Sequence, residues 1–538
     1  MWKNYLLFYL IFATSCNNTM EVDLIISNAK VYTVNENFDI LESFAVKDGK
    51  IIEVGSSKLI KKKYKSKNTI DAKGKTIMPG FIDAHCHFYG YGKNMRELSL
   101  YNTKSFDEII KIIKNSKTKE RWIIGRGWDQ NNWEEKQFPN KKKLDILFPN
   151  TPIFLTRIDG HAALVNQKAL DLAEIKVSTK VKGGKILKEK GELTGVLIDK
   201  AMNLVQNKIP EIDKKEIKEA LRKAELDCFK NGLTTVSDAG LSKKIINIIN
   251  EMHQENELKI RVYCMVSDDK ENLSYFLEKG PLKTDRINVT SVKSFSDGAL
   301  GSRGACLIQP YTDENTNYGL FFKNENYFLS LAEKCYENNF QLNIHCIGDS
   351  ATRIILQVYS KILEKNNDRR WRIEHCQIVN EKDFKKFKEY KIIPSVQPTH
   401  ATSDMPWAIK RLGKKRLKYS YANKMLLEYA GTIALGTDFP IEKINPILTF
   451  YAATIRKDSK GFPNKGFQTE NALSKEETLK GMTIWAAYAN FEEKEKGSIE
   501  KDKVADFIIL NQNIMEVEDS LILKTKVIET FVNGEKVF

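Results

Sequence analysis

Phe81-Ile82-Asp83-Ala84-His85-Cys86-His87 is the stretch that decides how this chain is read. It follows Met78-Pro79-Gly80, a turn signal, and its apolar opening predicts a short buried strand. Side chains at i and i+2 of a strand share a face, so His85 and His87 project together while Cys86 points the other way. Two imidazoles side by side at a strand end suit one transition-metal ion. With only seven histidines in 538 residues, chance is a poor explanation for His-x-His at a glycine-bounded strand end.

Working outward, short apolar runs recur at 234–238, 261–266, 289–296, 341–347, 371–377, 392–397 and 432–437, separated by amphipathic helical patterns. With the strand at Phe81 they make eight, and strands alternating with helices argue for parallel βα units. Eight such units close into a (β/α)8 TIM barrel, an α/β fold whose catalytic residues sit at the carboxyl ends of the strands. The barrel is expected over 77–495, with about 121–200 set aside as an insertion carrying its own hairpin at Gly183-Gly184. Both ends of the chain are rich in β pattern, and Asp48-Gly49 and Asn533-Gly534 are hairpin turn signals. Segments 20–76 and 496–538 are therefore expected to meet in one composite β-sandwich.

The net charge of +15 raises a nucleic-acid reading, but the lysines are spread along the chain and cluster only briefly at 61–67 and 411–418. No nucleic-acid-binding motif accompanies them, and a solvated lysine-rich surface is expected. At the amino terminus the apolar run 5–12 is too short to span a bilayer, and Ala13-Thr14-Ser15 precede Cys16. This is the layout of a secretory signal, and it resembles a bacterial lipoprotein signal (1–16) with Cys16 as the lipidated residue. It implies an exported protein, lipid-anchored in the cell envelope at the periplasm or outer membrane, that meets the membrane through its lipid only. The remaining cysteines form no Cys-x-x-Cys. Cys86, Cys346 and Cys376 each follow a histidine and are expected to face outward from the barrel as small apolar residues.

The other chemistry-bearing residues fall at predicted strand ends: Lys293 on strand four, His345 on five, His375 on six and Asp438 on eight. Singly each is weak; together with His-x-His they form a strong joint signal. This arrangement resembles the amidohydrolase superfamily. Met78 to His87, together with Asp297-Gly298-Ala299-Leu300-Gly301-Ser302-Arg303-Gly304-Ala305, is similar to its N-substituted formamide deformylase-like branch, amidohydrolase family 3. Arg157-Ile158-Asp159-Gly160-His161-Ala162 and Gln397-Pro398-Thr399-His400 add to the match.

The resemblance implies a metal-dependent hydrolase that cleaves a non-peptide C–N bond of a small amide, N-acyl or formamide compound through a metal-activated hydroxide. His85, His87 and Asp438 would hold one metal ion, and His345 and His375 a second. Lys293 would bridge them once carboxylated, which implies two zinc ions per chain. An unmodified Lys293, contacting substrate or a carboxylate, would leave one. Asp438 would also be catalytic, moving the proton from the attacking water to the leaving nitrogen. His161, after a turn in the insertion, and His400, at the end of strand seven, are candidates for substrate binding or for structural loop positions. Arg303 either orients an anionic substrate group or pins its own loop. His253, in a Lys/Glu-rich helical pattern, reads as solvated. Trp122, Trp128, Trp133 and Trp407 would wall a pocket or pack locally. Ester or phosphoester hydrolysis or deamination on the same scaffold, and a non-catalytic lipid-anchored binding protein, stay as alternatives. A homodimer is compatible with all of them.

Overall fold

The computed structural model describes residues 19–116, 121–158, 160, 162–181 and 184–538; Cys16, His161 and Gly183 lie outside the described residues. The chain divides into two compact units, one of Met1–His87 with Glu225–Phe538 and one of Phe88–Ala224. Among the described residues no helix is long and apolar enough to cross a membrane.

The larger unit is built on a nearly closed barrel of eight strands: β1 (Phe81–Cys86), β2 (Leu233–Leu241), β3 (Arg261–Ser267), β4 (Ile287–Phe295), β5 (Gln341–Cys346), β6 (Arg372–His375), β7 (Ile393–Val396) and β8 (Ala434–Leu435). Each strand pairs in parallel with the next. Parallel strands covered by helices are buried on both faces, and accordingly β1 and β6 are buried throughout and β5 everywhere but at His345, so the polar residues they carry are held inside the fold. The helix after β2, Lys243–Gln254, turns Ile245, Ile246, Ile248, Ile249 and Met252 inward at helical spacing. Asp269 and Asn324 cap the helices after β3 and β4.

β8 is only two residues long, so the seam between it and β1 is closed by the segment that follows. Asp438 N donates to His85 O at 2.8 Å, and His87 N donates to Phe439 O at 2.8 Å. Gly436 makes this approach sterically feasible, because a Cβ there would lie 2.6 Å from His85 N.

The β-sandwich of the same unit has a four-stranded sheet (Lys50–Gly55, Ser43–Lys47, Leu24–Ser27, Thr69–Asp71) and a six-stranded one. In the six-stranded sheet Phe507–Leu510, from the C-terminal part, lies antiparallel to Thr76–Pro79, from the N-terminal part. Phe507 stacks on Phe531 at 4.3 Å between ring centroids and meets Phe44 edge-on at 5.0 Å. Residues from both ends of the chain thus share one core. The hairpin at Asp48-Gly49 has both residues at positive φ, 51° and 72°, as a type I′ turn needs.

The second unit holds a six-stranded mixed sheet with its own two apolar clusters. It extends beyond the expected 121–200 at both ends. Its hairpin pairs Gly184–Glu189 with Glu192–Asp199 and turns at Lys190-Gly191. Trp122, Trp128 and Trp133 are buried in its core, so they pack locally. The three cysteines that follow barrel histidines are free and buried.

His253 departs from its expected solvation. It is buried, with Nε2 2.9 Å from Ile260 O, and burial holds it down to about 4 against an ordinary 6.5. Between those values the unfolded chain binds a proton that the native chain does not. The stability is therefore full above pH 6.5 and is lost as pH falls toward 4. His253→Gln keeps a donor for Ile260 O and should flatten this loss by on the order of 2–3 kcal/mol. Urea unfolding of both proteins at neutral and mildly acid pH measures it. Parallel losses in the two proteins would assign the acid sensitivity elsewhere.

Candidate metal centre

The centre is assembled from β1, the strand ends of β4 to β6, the start of the helix after β7 and the segment after β8. Asp83 and His85 share the inward face of β1. Asp83 Oδ2 accepts from Thr437 Oγ1 at 2.7 Å, and its Oδ1 accepts from Thr437 N at 3.0 Å and His85 N at 3.2 Å. These bonds fix the segment after β8 against β1. One residue later Asp438 adopts a left-handed backbone (φ 62°), a conformation that non-glycine residues hold only where their surroundings enforce it. Its carboxylate thereby meets the histidine pair.

His87 Nε2 lies 3.2 Å and His85 Nε2 3.7 Å from Asp438 Oδ1. His400 Nε2 lies 3.5 Å and His375 Nδ1 4.0 Å from Asp438 Oδ2. Two groups of potential ligands result, His85–His87–Asp438 and His375–His400–Asp438, with Asp438 common to both. His345 meets the ring of His375 edge-on, 4.5 Å between centroids, but belongs to neither group. Lys293, on the inner face of β4, places Nζ 3.4 Å from His85 Nε2.

The chemistry of this donor set fits a divalent cation. His345 Nε2 and Asp438 Oδ1 are buried without a hydrogen-bond partner among the described residues. Each such atom costs about 1–3 kcal/mol unless something else satisfies it. Burial holds His85 and His375 below the usual histidine value and His345 down to about 3, so all three are neutral electron-pair donors. Burial alone would push Asp438 up, but His87, His85 and His400 around it hold its carboxyl well below the usual carboxylate range. Burial pushes Lys293 down.

His400 does not end β7, which stops at Val396; it sits in the first turn of the helix Pro398–Leu417. Gln377 Nε2 donates to its Nδ1 at 2.9 Å and turns Nε2 toward Asp438. Arg303 pairs with Asp313 at 3.0 Å and Glu314 at 3.4 Å, so its guanidinium is committed to the loop after β4. Trp407 packs against the cluster of Leu300, Leu307 and Tyr311. Beside the centre, a recess is lined by Thr399, Thr402, Ser403, Glu442, Lys443 and Tyr451 among others.

Three buried acids or amides escaped the sequence reading. Gln397 Oε1 lies 2.7 Å from His375 Nδ1, and Glu374 Oε2 lies 2.5 Å from His85 Nδ1. Asp297 Oδ2 accepts from Cys306 N at 2.9 Å and Gly348 N at 2.8 Å, and its Oδ1 accepts from Ile347 N at 3.0 Å. The available signal was position: each is polar and sits at or beside the end of a barrel strand.

The chain belongs to the amidohydrolase family, which matches residues 68–538. YtcJ of Bacillus subtilis (strain 168), a provisionally named amidohydrolase, is 32% identical over 520 residues, covering 94% of this chain and 98% of YtcJ. The N-substituted formamide deformylase of Arthrobacter pascens is 25% identical, covering 95% of this chain and 97% of that enzyme. The crystal structure of an uncharacterized metal-dependent hydrolase from Pyrococcus horikoshii OT3 aligns with a TM-score of 0.80 at 28% identity. It covers 92% of this chain and 99% of that one.

Asp297 ties the loop after β4 to the end of β5 through three backbone N–H groups, and Asp297→Ala strands all three in a buried site. A loss of at least about 3 kcal/mol in urea unfolding is expected. A loss below about 1 kcal/mol would mean that water replaces the carboxylate.

Proposed function

We propose that this amidohydrolase-family protein hydrolyses a non-peptide carbon–nitrogen bond of a small amide, N-acyl or formamide compound with a bound divalent metal, zinc being the expected ion. The observation that carries the reading is Asp438, an ionised, buried carboxylate with an unbonded Oδ1 facing His85 and His87. The formamide deformylase that aligns along nearly the whole chain supports the choice of bond.

In this reading His85, His87 and Asp438 would hold one ion and His345 and His375 a second, with Lys293 as a further ligand once carboxylated. The depressed basicity of buried Lys293 favours the neutral amine, which adds to CO2 and releases a proton to become a carbamate. A divalent ion bound here polarises a carbonyl and acidifies water toward neutrality. Asp438 takes the proton of the attacking water and delivers it to the nitrogen that leaves. His400, 3.5 Å away, steadies the carboxylate during that transfer, and the recess beside it accepts the substrate. We further propose export and lipid attachment at Cys16, which would place the enzyme in the cell envelope.

Asp438→Asn keeps the shape and removes the base. Turnover on a panel of N-formyl and N-acyl amines should fall by roughly 100- to 10,000-fold while the thermal midpoint stays close to that of the parent. Near-parental turnover would overturn the role of Asp438. Stripping the metal should abolish activity, and zinc with bicarbonate should restore it. Elemental mass spectrometry should then find about two ions per chain with a carboxylated Lys293, or about one without. Release of ammonia from aminated heterocycles, with no amide cleaved, would replace this reading with deamination.

A further inference from the structure

We infer that Glu374 is the positioning residue of the metal centre: from β6 it accepts the Nδ1 proton of His85 and keeps His85 Nε2 as the electron-pair donor facing Asp438. The inference rests on the reading of the cluster as a cation site.

Glu374 and His375 are consecutive, so plain strand alternation would turn one of them out of the barrel. His375 and Cys376 instead have positive φ, 73° and 45°. Such a conformation costs of order 1–3 kcal/mol at a non-glycine residue and persists where the surroundings demand it. Its effect here is that two adjacent side chains both serve the centre: Glu374 contacts His85, and His375 groups with Asp438.

Glu374 is completely buried, and an ionised carboxylate taken out of water costs several kcal/mol unless it is well partnered. Two neighbours, His85 and Arg372, compete for the role of main partner. Arg372 shares its face of β6, yet its Nη1 is 3.9 Å from Glu374 Oε1. The guanidinium is occupied with Ala84 O at 3.2 Å, and with Ala489 O and Asn490 Oδ1 at 2.5 Å each. The short contact of the acid, 2.5 Å, goes to His85 Nδ1. A carboxylate whose task was only to neutralise Arg372 would be turned the other way.

A neutral imidazole carries one N–H. Fixing it on Nδ1 leaves the Nε2 lone pair pointing into the space 3.7 Å from Asp438 Oδ1, beside Lys293 Nζ. The carboxylate also raises the basicity of the ring it orients, and in metal sites such partners are worth about 10- to 100-fold in affinity. Glu374 lies in neither group of potential ligands, so its effect passes through His85.

The test uses the whole chain with Glu374→Leu, Glu374→Asp and Glu374→Gln. The readouts are the zinc dissociation constant by chelator competition, the absorption spectrum of the Co2+-loaded protein and the thermal midpoint of the metal-stripped protein. Glu374→Leu should weaken zinc binding about 10- to 100-fold and alter the Co2+ spectrum. Glu374→Gln, which keeps an acceptor for Nδ1–H, should recover part of both. If Glu374→Leu does not fold, Glu374→Asp replaces it: the shorter acid withdraws from Nδ1, and several-fold weaker zinc binding is expected. Zinc affinity within twofold of the parent and an unchanged Co2+ spectrum, in whichever of these two variants is folded, would overturn the inference and leave Glu374 a structural acid. A parent chain that binds neither Zn2+ nor Co2+ would overturn the cation site itself, and this inference with it.

Discussion

The seam between the first and last barrel strands is the constraint on which the rest depends. β8 is too short to hold that seam by a strand ladder, so two backbone hydrogen bonds and the carboxylate of Asp83 do so. Asp83 is buried enough that its carboxyl is pushed up to about 7 despite the bonds from Thr437. The same contact sets the spacing between His85 and Asp438. The cluster therefore exists only when the barrel is closed, and its geometry reports on that closure more directly than any single strand does.

Around the seam the polar interior is layered. Arg372 ties β6 to the chain at Ala489 and Asn490, Glu374 stands above it, and His85 above that. Asp297 performs the matching task on the other side by holding the loop after β4 to the start of the segment after β5. Each of these buried groups has a hydrogen-bond partner in a different βα unit: Arg372 donates to Ala84 O, Glu374 meets His85 Nδ1, and Asp297 accepts from Ile347 N and Gly348 N. A buried charge stripped of its partner is costly, so these units cannot shift independently without penalty. A rigid frame of this kind suits a site that must hold its ligands before anything binds.

Much of this was legible in the residues. Strand alternation placed His85 and His87 on one face, and the turn dipeptides Asp48-Gly49 and Asn533-Gly534 fall between paired strands. What was illegible depends on backbone states that periodicity does not encode. The left-handed turn at His375 and Cys376 admits Glu374 to the interior beside its neighbour, and no spacing rule announces it. His400 was read as a strand end because Pro398 breaks the pattern, whereas that proline starts a helix. His253 looked solvated among polar neighbours, whereas it falls on the buried face of its helix and meets the carbonyl of Ile260 just beyond the helix end. The limits of the second unit were blurred because its strands resemble those of the barrel in length and composition.

The shared sandwich core has a consequence for biosynthesis. Pro79 pairs with Phe507, more than 400 residues later in the chain. Ribosomes add roughly 5–20 residues per second, so the N-terminal strands wait tens of seconds for their partners. Through that interval the edge of Thr76–Pro79 and the ring of Phe44 stand unpaired, an open template for another nascent chain. Yield in a cell should therefore depend on chaperone capacity during translation more than on the stability of the finished fold. A chain stalled before Phe507 would leave a barrel whose N-terminal strands have nothing to close on.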